Sequence, residues 1–573
     1  MNCCLGVRFG VRAAKTFLWV MLCAQAFAQG QDAKSLLQRE GGSFQRLFYG
    51  DYRSPAIRAF EAGGAAGLES LIADGRLMVT EADAVRLALE NNVDINVERY
   101  GPYFALWETV RGRAVLNPAL QFNAGLDRQK TPTSSALQGG DTLLSLNTVY
   151  DFTFSKPFEP GLDLELTFQT RRSRSNSFFS SLNPSLVSVA GISVTQHLLK
   201  DLGRISRGRV LRIARNNYDM SREAFALQVM QLVSDVLNTY WDLLFIDEDI
   251  KEKEASRELA RIVLEQNRIQ AQVGTMSSLD VIQAEAEVAA REQQVVVARH
   301  SRLIAQDQLK RLISSQADPG AIPAAIVPVT RPLPPPPPRS SLEEAIRRAT
   351  EIRPEVRQAL LDLDNRKIHV DYTRNQLKPT LDLVAAYSQN GLGGNQILRD
   401  YSQGIINAPV VGVVPGGFWD ALDSLFSRKY LGFQIGFNFR VPIGNDAARA
   451  DNAQAQIDHR QAQERLRALR QKIALEVRQA YNRLELDKAS VAASEVTVRY
   501  MQQRLEGEQE KFSLGAGTTR SIIEAQRDLQ AAVRSRLQAQ IDLIRSRIAL
   551  DRAAGDILAA HGIELQDVLR PGG

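Results

Sequence analysis

The chain has 573 residues, 44% of them hydrophobic, with 70 Lys plus Arg against 65 Asp plus Glu. After residue 28 no apolar run approaches the roughly 18 residues of a membrane-spanning helix, so any membrane insertion must use strands. Those first 28 residues carry three basic and no acidic side chains; without them the balance is 67 to 65, which gives no bulk charge for binding nucleic acid.

Residues 1–28 read as a secretory signal peptide: Arg8, Arg12 and Lys15, an apolar stretch from Phe17 to Ala24, then Ala26-Phe27-Ala28 before Gln29. Leu22 precedes Cys23 where a lipid-anchored signal needs a small residue. Cys3, Cys4 and Cys23 all fall in this segment, so the mature chain is expected to hold no disulfide or Cys-ligated metal. An extension over 29–78 follows, with Gly pairs and scattered aromatics and no legible role.

A first structural repeat is expected over 79–314. Thr80 with Asp83 forms an acidic capping box at a helix start. After Pro118, Leu120, Phe122, Ala124 and Leu126 alternate with polar or small residues, and a returning strand spans Val187 to Val194, with apolar residues at Val187, Val189 and Ile192 to Val194. Between them Tyr150, Phe152 and Phe154, a Glu159-Pro160-Gly161 turn, and Leu162, Leu164, Leu166 and Phe168 read as an extra hairpin. It either projects beyond the membrane or adds strands within it. A helical hairpin then runs from Ser206 to Ile313, reversing at Val273-Gly274-Thr275-Met276-Ser277; its first arm of about 65 residues would extend about 100 Å.

Residues 315–340 hold nine prolines between Asp318 and Arg339 and read as a stiff polyproline connector. A second repeat covers 341–558. Ser341 with Glu344 matches the first cap, and Leu381, Leu383, Ala385 and Tyr387 open the strands. A Gly- and Val-rich outer loop is expected from Asn390 to Arg428. Phe433, Ile435, Phe437 and Phe439 alternate on the return, and a hairpin from Ala447 to Leu558 reverses at Leu514-Gly515-Ala516-Gly517-Thr518. A tail, 559–573, closes the chain.

The two repeats correspond without a gap over their helical parts. A constant shift carries Val236 onto Val477, Tyr240 onto Tyr481, Gly274 onto Gly515, Ile282 onto Ile523 and Leu309 onto Leu550. Ile473, Val477, Ala480, Tyr481 and Leu484 make a stripe on one helical face, matched by Leu232, Val236, Thr239, Tyr240 and Leu243. Narrow stripes on helices this long must be buried against other helices, which implies a coiled-coil bundle. Alternating strands suit a membrane wall with one face to lipid; a soluble sheet with one wet face is the commoner use of the pattern. Four short strands cannot close alone and an open edge in lipid is forbidden, so membranous strands require several chains in one barrel.

In that order of features the chain resembles the TolC family of outer-membrane efflux and secretion channels, from about Val79 to Leu558. Carrying the resemblance are Asn117-Pro118 and Lys378-Pro379 before the strands and Val441-Pro442-Ile443-Gly444 after them. With them go the Gly-Thr reversals followed by Leu279-Asp280-Val281-Ile282-Gln283-Ala284 and Ser521-Ile522-Ile523-Glu524-Ala525. The resemblance implies an α+β membrane protein: a homotrimer with four strands per chain, a shared 12-stranded transmembrane β-barrel and a long periplasmic coiled-coil α-barrel. It implies localisation in the cell outer membrane, extending into the periplasm. The function implied is the exit duct of a tripartite efflux or type I secretion system. Its partners would be a periplasmic adaptor, an inner-membrane pump and outer-membrane lipid, with no nucleic acid and no cofactor. The alternative is a periplasmic coiled-coil scaffold or adaptor without a pore. At the first strand-to-helix junction this chain has Gln196-His197-Leu198 where the family often has Pro after Gln, so that junction is expected to bend differently.

The tips are the candidate site. Gly274, Thr275, Gly515, Gly517 and Thr518 would meet the adaptor. Threefold symmetry would gather Glu524, and Asp280 if it faces inward, into rings of carboxylates that attract cations; the competing reading leaves both acids on solvated faces. His197, His300, His369, His459 and His561 are scattered without metal-ligand spacing, and no nucleophile elbow, P-loop or dinucleotide fingerprint occurs. The chain is not expected to be an enzyme.

Overall fold

The computed structural model describes residues 72–569 except 74, 134–140, 275–276, 316–323, 333, 338–339, 403, 405–407, 515 and 517–518. The signal segment, nearly all of the 29–78 extension, and Thr275, Gly515, Gly517 and Thr518 lie outside the described residues.

The described chain opens with β1 (Ile72–Ala73), β2 (Arg76–Val79), α1 (Glu81–Asn91) and α2 (Val93–Ala114). The Thr80 hydroxyl accepts the Asp83 N–H at 3.2 Å while the Asp83 carboxylate accepts the Thr80 N–H at 3.3 Å, so α1 starts on a complete box. Asn92 ends α1 and caps α2, its side-chain oxygen accepting the Ile95 N–H at 3.0 Å. Where the sequence predicts the same box at Ser341, the cap on α5 (Leu342–Ile352) is the single bond from the Glu344 N–H, at 3.3 Å.

Within the proline-rich segment the structure departs from a uniform polyproline connector: Ala325–Pro328 forms β7 and pairs parallel with β2, at the edge of a three-stranded sheet ordered β1-β2-β7. An edge strand tolerates Pro328 because its missing N–H faces away from the ladder. This sheet and α1 pack on the middle of α3 (Arg207–Gln272) and the end of α4 (Ser278–Ile313). Leu77, Val79, Leu87, Phe225, Val236, Leu237, Tyr240, Leu309 and Ile326 fill that core, all of them at most 1% exposed. Tyr240 is the buried polar member. Its hydroxyl lies 3.1 Å from the Val79 carbonyl and 2.9 Å from the Thr330 hydroxyl, and it accepts the Thr330 N–H at 3.1 Å. Every hydrogen-bonding position of the phenol is used, which is what permits its burial.

A second core forms where α5 and α6 (Pro354–Gln376) meet α8 (Asp446–Ser513) and α9 (Thr519–Ala554). Ile473, Val477 and Leu484 of the predicted stripe are buried there with Ala345, Ala349, Val356, Leu543 and Leu550, and Ala480 and Tyr481 pack against them. Of the matching stripe in α3, Thr239 stays half-buried with its hydroxyl on the Asp235 carbonyl, 2.8 Å away.

The remaining strands make one seven-stranded antiparallel sheet, whose main path is β3 (Ala119–Pro132), β4 (Thr142–Phe158), β5 (Leu162–Ser175), β6 (Leu182–His197), β8 (Thr380–Arg399) and β10 (Leu431–Arg440), ordered β10-β8-β6-β5-β4-β3. The sheet holds more strands than the four per chain that the resemblance implies for a barrel. The extra hairpin β4–β5 sits inside the sheet between β3 and β6, because its ladders to both neighbours are continuous over 12 or more residue pairs. The predicted outer loop from Asn390 is also corrected. β8 continues to Arg399, β9 (Val410–Val414) pairs with its far end, and α7 (Phe418–Phe426) packs across β8 with Ala421 and Leu425 buried. Two short helices, α10 (Ile557–Ala560) and α11 (Leu565–Leu569), end the described chain. Among the described residues no helix is long and apolar enough to cross a membrane.

Candidate functional site

Side chains alternate along a strand, so pairing register decides which residues of six strands share a face. Following the partners across the sheet gives a row of Leu120, Phe154, Leu166, Ile192, Tyr387 and Phe433. A neighbouring row on that face is Lys156, Leu164, Val194, Ala385 and Ile435, and another is Phe158, Leu162, Gln196, Leu383 and Phe437. The opposite face carries Gln121, Thr153, Thr167, Gly191, Ser388 and Gly432 in one row, and Asn123, Asp151, Gln169, Val189 and Asn390 in another. One face is therefore apolar across all six strands and the other polar. Val187 and Val189, odd-numbered where Ile192 and Val194 are even, fall on the polar face. On the apolar face Phe433, Ile435, Phe437 and Phe439 of β10 are 62–78% exposed, and Leu120, Phe122 and Leu126 of β3 are exposed as well. The two terminal strands thus offer bare apolar side chains together with unpaired backbone edges.

At the helix end of the sheet the first strand-to-helix junction is built around His197. Its Nδ1 lies 2.6 Å from the Asp382 carboxylate of β8 and its Nε2 3.5 Å from that of Asp163 on β5. Arg207, in the first turn of α3, donates to Asp163 at 2.7 Å and to the Phe158 and Leu162 carbonyls, both at 3.1 Å. Gln196 adds its amide to the Pro160 and Gly161 carbonyls at 3.3 Å. Gly161 holds a positive φ of 82° with its Cα hydrogens facing the Asp201 carbonyl, a place without room for a side chain. The β4–β5 turn is thereby fixed to the base of the sheet. Asp163, Arg207 and Asp382 were not selected from the sequence, which places them far apart along the chain with no spacing motif to join them.

At the first tip Gly274 takes a φ of +80°, the left-handed exit that ends α3. Asp280 is exposed, and its carboxylate is engaged in the cap of its own helix. It accepts from the Ser277 hydroxyl at 2.8 Å and the Ser277 N–H at 3.3 Å, while the Asp280 N–H returns to the Ser277 hydroxyl at 3.3 Å. At the second tip Glu524 lies half-buried in the second turn of α9. Glu508 of α8 accepts from Lys511 at 2.7 Å and from Ser521, and these hydrogen bonds hold its carboxyl below the usual range. Between the hairpins Leu259, Ile262, Leu505 and Leu529, with Glu258 and Gln526, line an open groove of about 470 Å³. One helical turn or so away on α3, burial, then the charges of Asp249 and Glu248, push the Glu252 carboxyl up. Among the described residues no group of three or more His, Cys, Asp and Glu is placed to hold a metal.

The profile of the outer membrane efflux protein family matches residues 153–315 and 345–556, more than half of the chain; β3 and the first part of β4 precede the matched residues. Outer membrane efflux protein BepC of Brucella suis is 30% identical over 128 residues, a match that spans 28% of that protein and 22% of this chain. The CmeC outer membrane channel of Campylobacter jejuni superposes with a TM-score of 0.58 at 14% identity, over 91% of this chain and 94% of that one. The MtrE outer membrane channel of Neisseria gonorrhoeae, solved in its open state, gives a TM-score of 0.54 at 16% identity, over 83% and 89%. These likenesses establish a shared fold of mixed helix and strand.

Proposed function

Since the chain belongs to the outer membrane efflux protein family, whose members are channels of the outer membrane, we propose that it is the exit duct of a tripartite efflux or type I secretion assembly. In this reading three copies close one barrel through their β3 and β10 edges, and the long helices α3, α4, α8 and α9 of the three copies wall a tunnel through the periplasm. The observation that carries it is the single apolar face running across all six strands to two unpaired edges. An apolar face seeks lipid, and in lipid an unpaired edge is forbidden, so copies must close on one another.

The strands drive insertion by burying the apolar face in hydrocarbon, and their polar face lines a wet lumen. His197, Asp163, Asp382 and Arg207 lock the base of the sheet to α3, so that force at the helices reaches the barrel without fraying a strand. At the tips Gly274, together with Thr275, Gly515, Gly517 and Thr518 outside the described residues, would offer the surface for a periplasmic adaptor, which in turn joins an inner-membrane pump. Glu524, half-buried in the second turn of α9, and Asp280, exposed at the start of α4, are the candidates for cation-attracting rings.

The test is native mass spectrometry of detergent-extracted protein together with single-channel recording in planar bilayers. Three copies that conduct, with cation preference lowered by Glu524→Gln, are the expected result. A monomer without conductance removes the duct and leaves a scaffold role. A conducting trimer whose selectivity ignores Glu524→Gln removes that residue from the aperture.

A further inference from the structure

We propose that this chain contributes six membrane-crossing strands rather than four, so that three copies build an eighteen-stranded barrel with a throat wider than twelve strands allow. The inference rests on the shared-barrel reading above and deepens it.

β4 and β5 are long enough to cross a membrane. They hold 17 and 14 residues, against the roughly 9 to 11 that a tilted strand needs to cross a membrane. Their alternation is in phase with the rest of the wall: Phe152, Phe154, Leu164, Leu166 and Phe168 lie on the apolar face, and Asp151, Thr153, Glu165, Thr167 and Gln169 on the polar one. A hairpin projecting into water has no reason to keep that phase across both ladders. Its turn is held at the base of the sheet by Arg207, Gln196 and His197, so the pair rises from the same level as the other strands. Away from the helices the face of Phe168 and Leu126 turns basic, with Arg128 on β3 and Arg172 and Arg174 on β5, as a phosphate-rich headgroup layer favours.

Closure is consistent with six. β3 runs away from the helices and β10 returns to them, so the β10 edge of one copy meets the β3 edge of the next in antiparallel fashion. At about 4.8 Å between strands and about 40° of tilt, eighteen strands close at a backbone radius of about 18 Å, twelve at about 12 Å. Where the sheet meets the helices, α2, α3, α6 and α8 pack side by side in each copy. Twelve such helices spaced about 9.5 Å apart close at about 18 Å, so the wider barrel continues the tunnel without a pinch. A duct of that girth would pass bulkier, folded or conjugated solutes through its outer end.

Because the mature sequence lacks cysteine, single cysteines test the wall directly. Phe152→Cys and Phe168→Cys, with Thr153→Cys and Thr167→Cys as inward controls, are labelled with a small fluorophore in the full protein in lipid vesicles. Brominated lipid and aqueous iodide then serve as quenchers. The expected result is lipid quenching at 152 and 168 equal to that of Phe433→Cys on β10, iodide quenching at 153 and 167, and a native mass of three copies. Iodide quenching at 152 and 168 in a protein that still conducts would put the hairpin outside the wall and overturn the proposal. A copy number other than three would overturn the count of eighteen. Loss of conductance in the unlabelled, unmutated protein would instead strike the duct reading itself.

Discussion

The two helical hairpins follow one plan and are held together by different forces. In the first, α3 and α4 are joined by ion pairs one heptad apart along α3: Arg268 with Glu285 and Arg261 with Glu292, each at 2.8 Å, then Glu254 with Arg299 and Asp247 with Arg302, each at 2.5 Å. In the second, Arg504 with Asp528 at 2.8 Å makes such a rung among the described residues. There α9 instead buries Ala525, Ala532 and Ala539, again a heptad apart. Cross-helix ion pairs recur along one hairpin, and small buried side chains recur along the other. Exposed ion pairs are individually weak and screened by salt, whereas a methyl group in a tight seam has no room to grow.

The comparison is open to direct test, and the largest effect is expected in the second hairpin. Ala532→Leu should overpack its seam and cost about 1 to 3 kcal/mol, read as a lowered midpoint in detergent-solubilised thermal unfolding. An unchanged midpoint would mean that the helices around Ala532 leave room for the larger side chain. At the first tip Ser277→Ala removes the hydroxyl that caps α4 and should cost about 1 kcal/mol. The loss should be confined to the tip, seen as faster amide exchange over 278–284 with the core unaffected. For the ladder, a double-mutant cycle on Arg261→Gln and Glu292→Gln should give a coupling of about 0.5 kcal/mol that disappears near 1 M salt, while the Ala532→Leu cost persists. A salt-independent coupling would break the distinction between the hairpins.

The smallest effect concerns Glu252. Its folded pKa lies above the unfolded value, so the folded state holds the proton more tightly, and the resulting stability is present below the unfolded pKa and lost as pH rises through the folded one. Glu252→Gln should therefore leave stability unchanged under acid and raise it slightly at neutral pH. A neutral-pH loss would mean that the carboxylate is held by a favourable partner instead.

Several features were legible because they are local. Thr80 with Asp83 states its cap within four residues, and the strand faces of Leu120 to Leu126 and Phe433 to Phe439 follow from alternation alone. Ile473, Val477 and Leu484 announce a buried stripe through helical periodicity. The order of such local signals was also enough for the family resemblance, which the family match bears out. Where a local signal was weak it misled: Gly391 to Gly394 looks like loop, yet a strand continues through it because β6 on one side and α7 above it complete its surroundings.

Other features depend on which strand lies beside which, a long-range choice that alternation does not encode. The sequence contained β4 and β5 as an amphipathic hairpin and left open whether they join the wall. The pairing of Phe152 with Phe122 on one side and Phe168 with Ala190 on the other places them within the sheet. In the same way His197 was visible as a departure at the junction, but its carboxylates come from Asp163 and Asp382, the latter 185 residues away. The sequence by itself determined periodicity, caps and reversals, since these follow from backbone geometry over a few residues. Tertiary structure alone decided strand neighbours, the junction cluster and the strand count, since these are fixed by hydrogen-bond ladders between segments that the chain brings together only on folding.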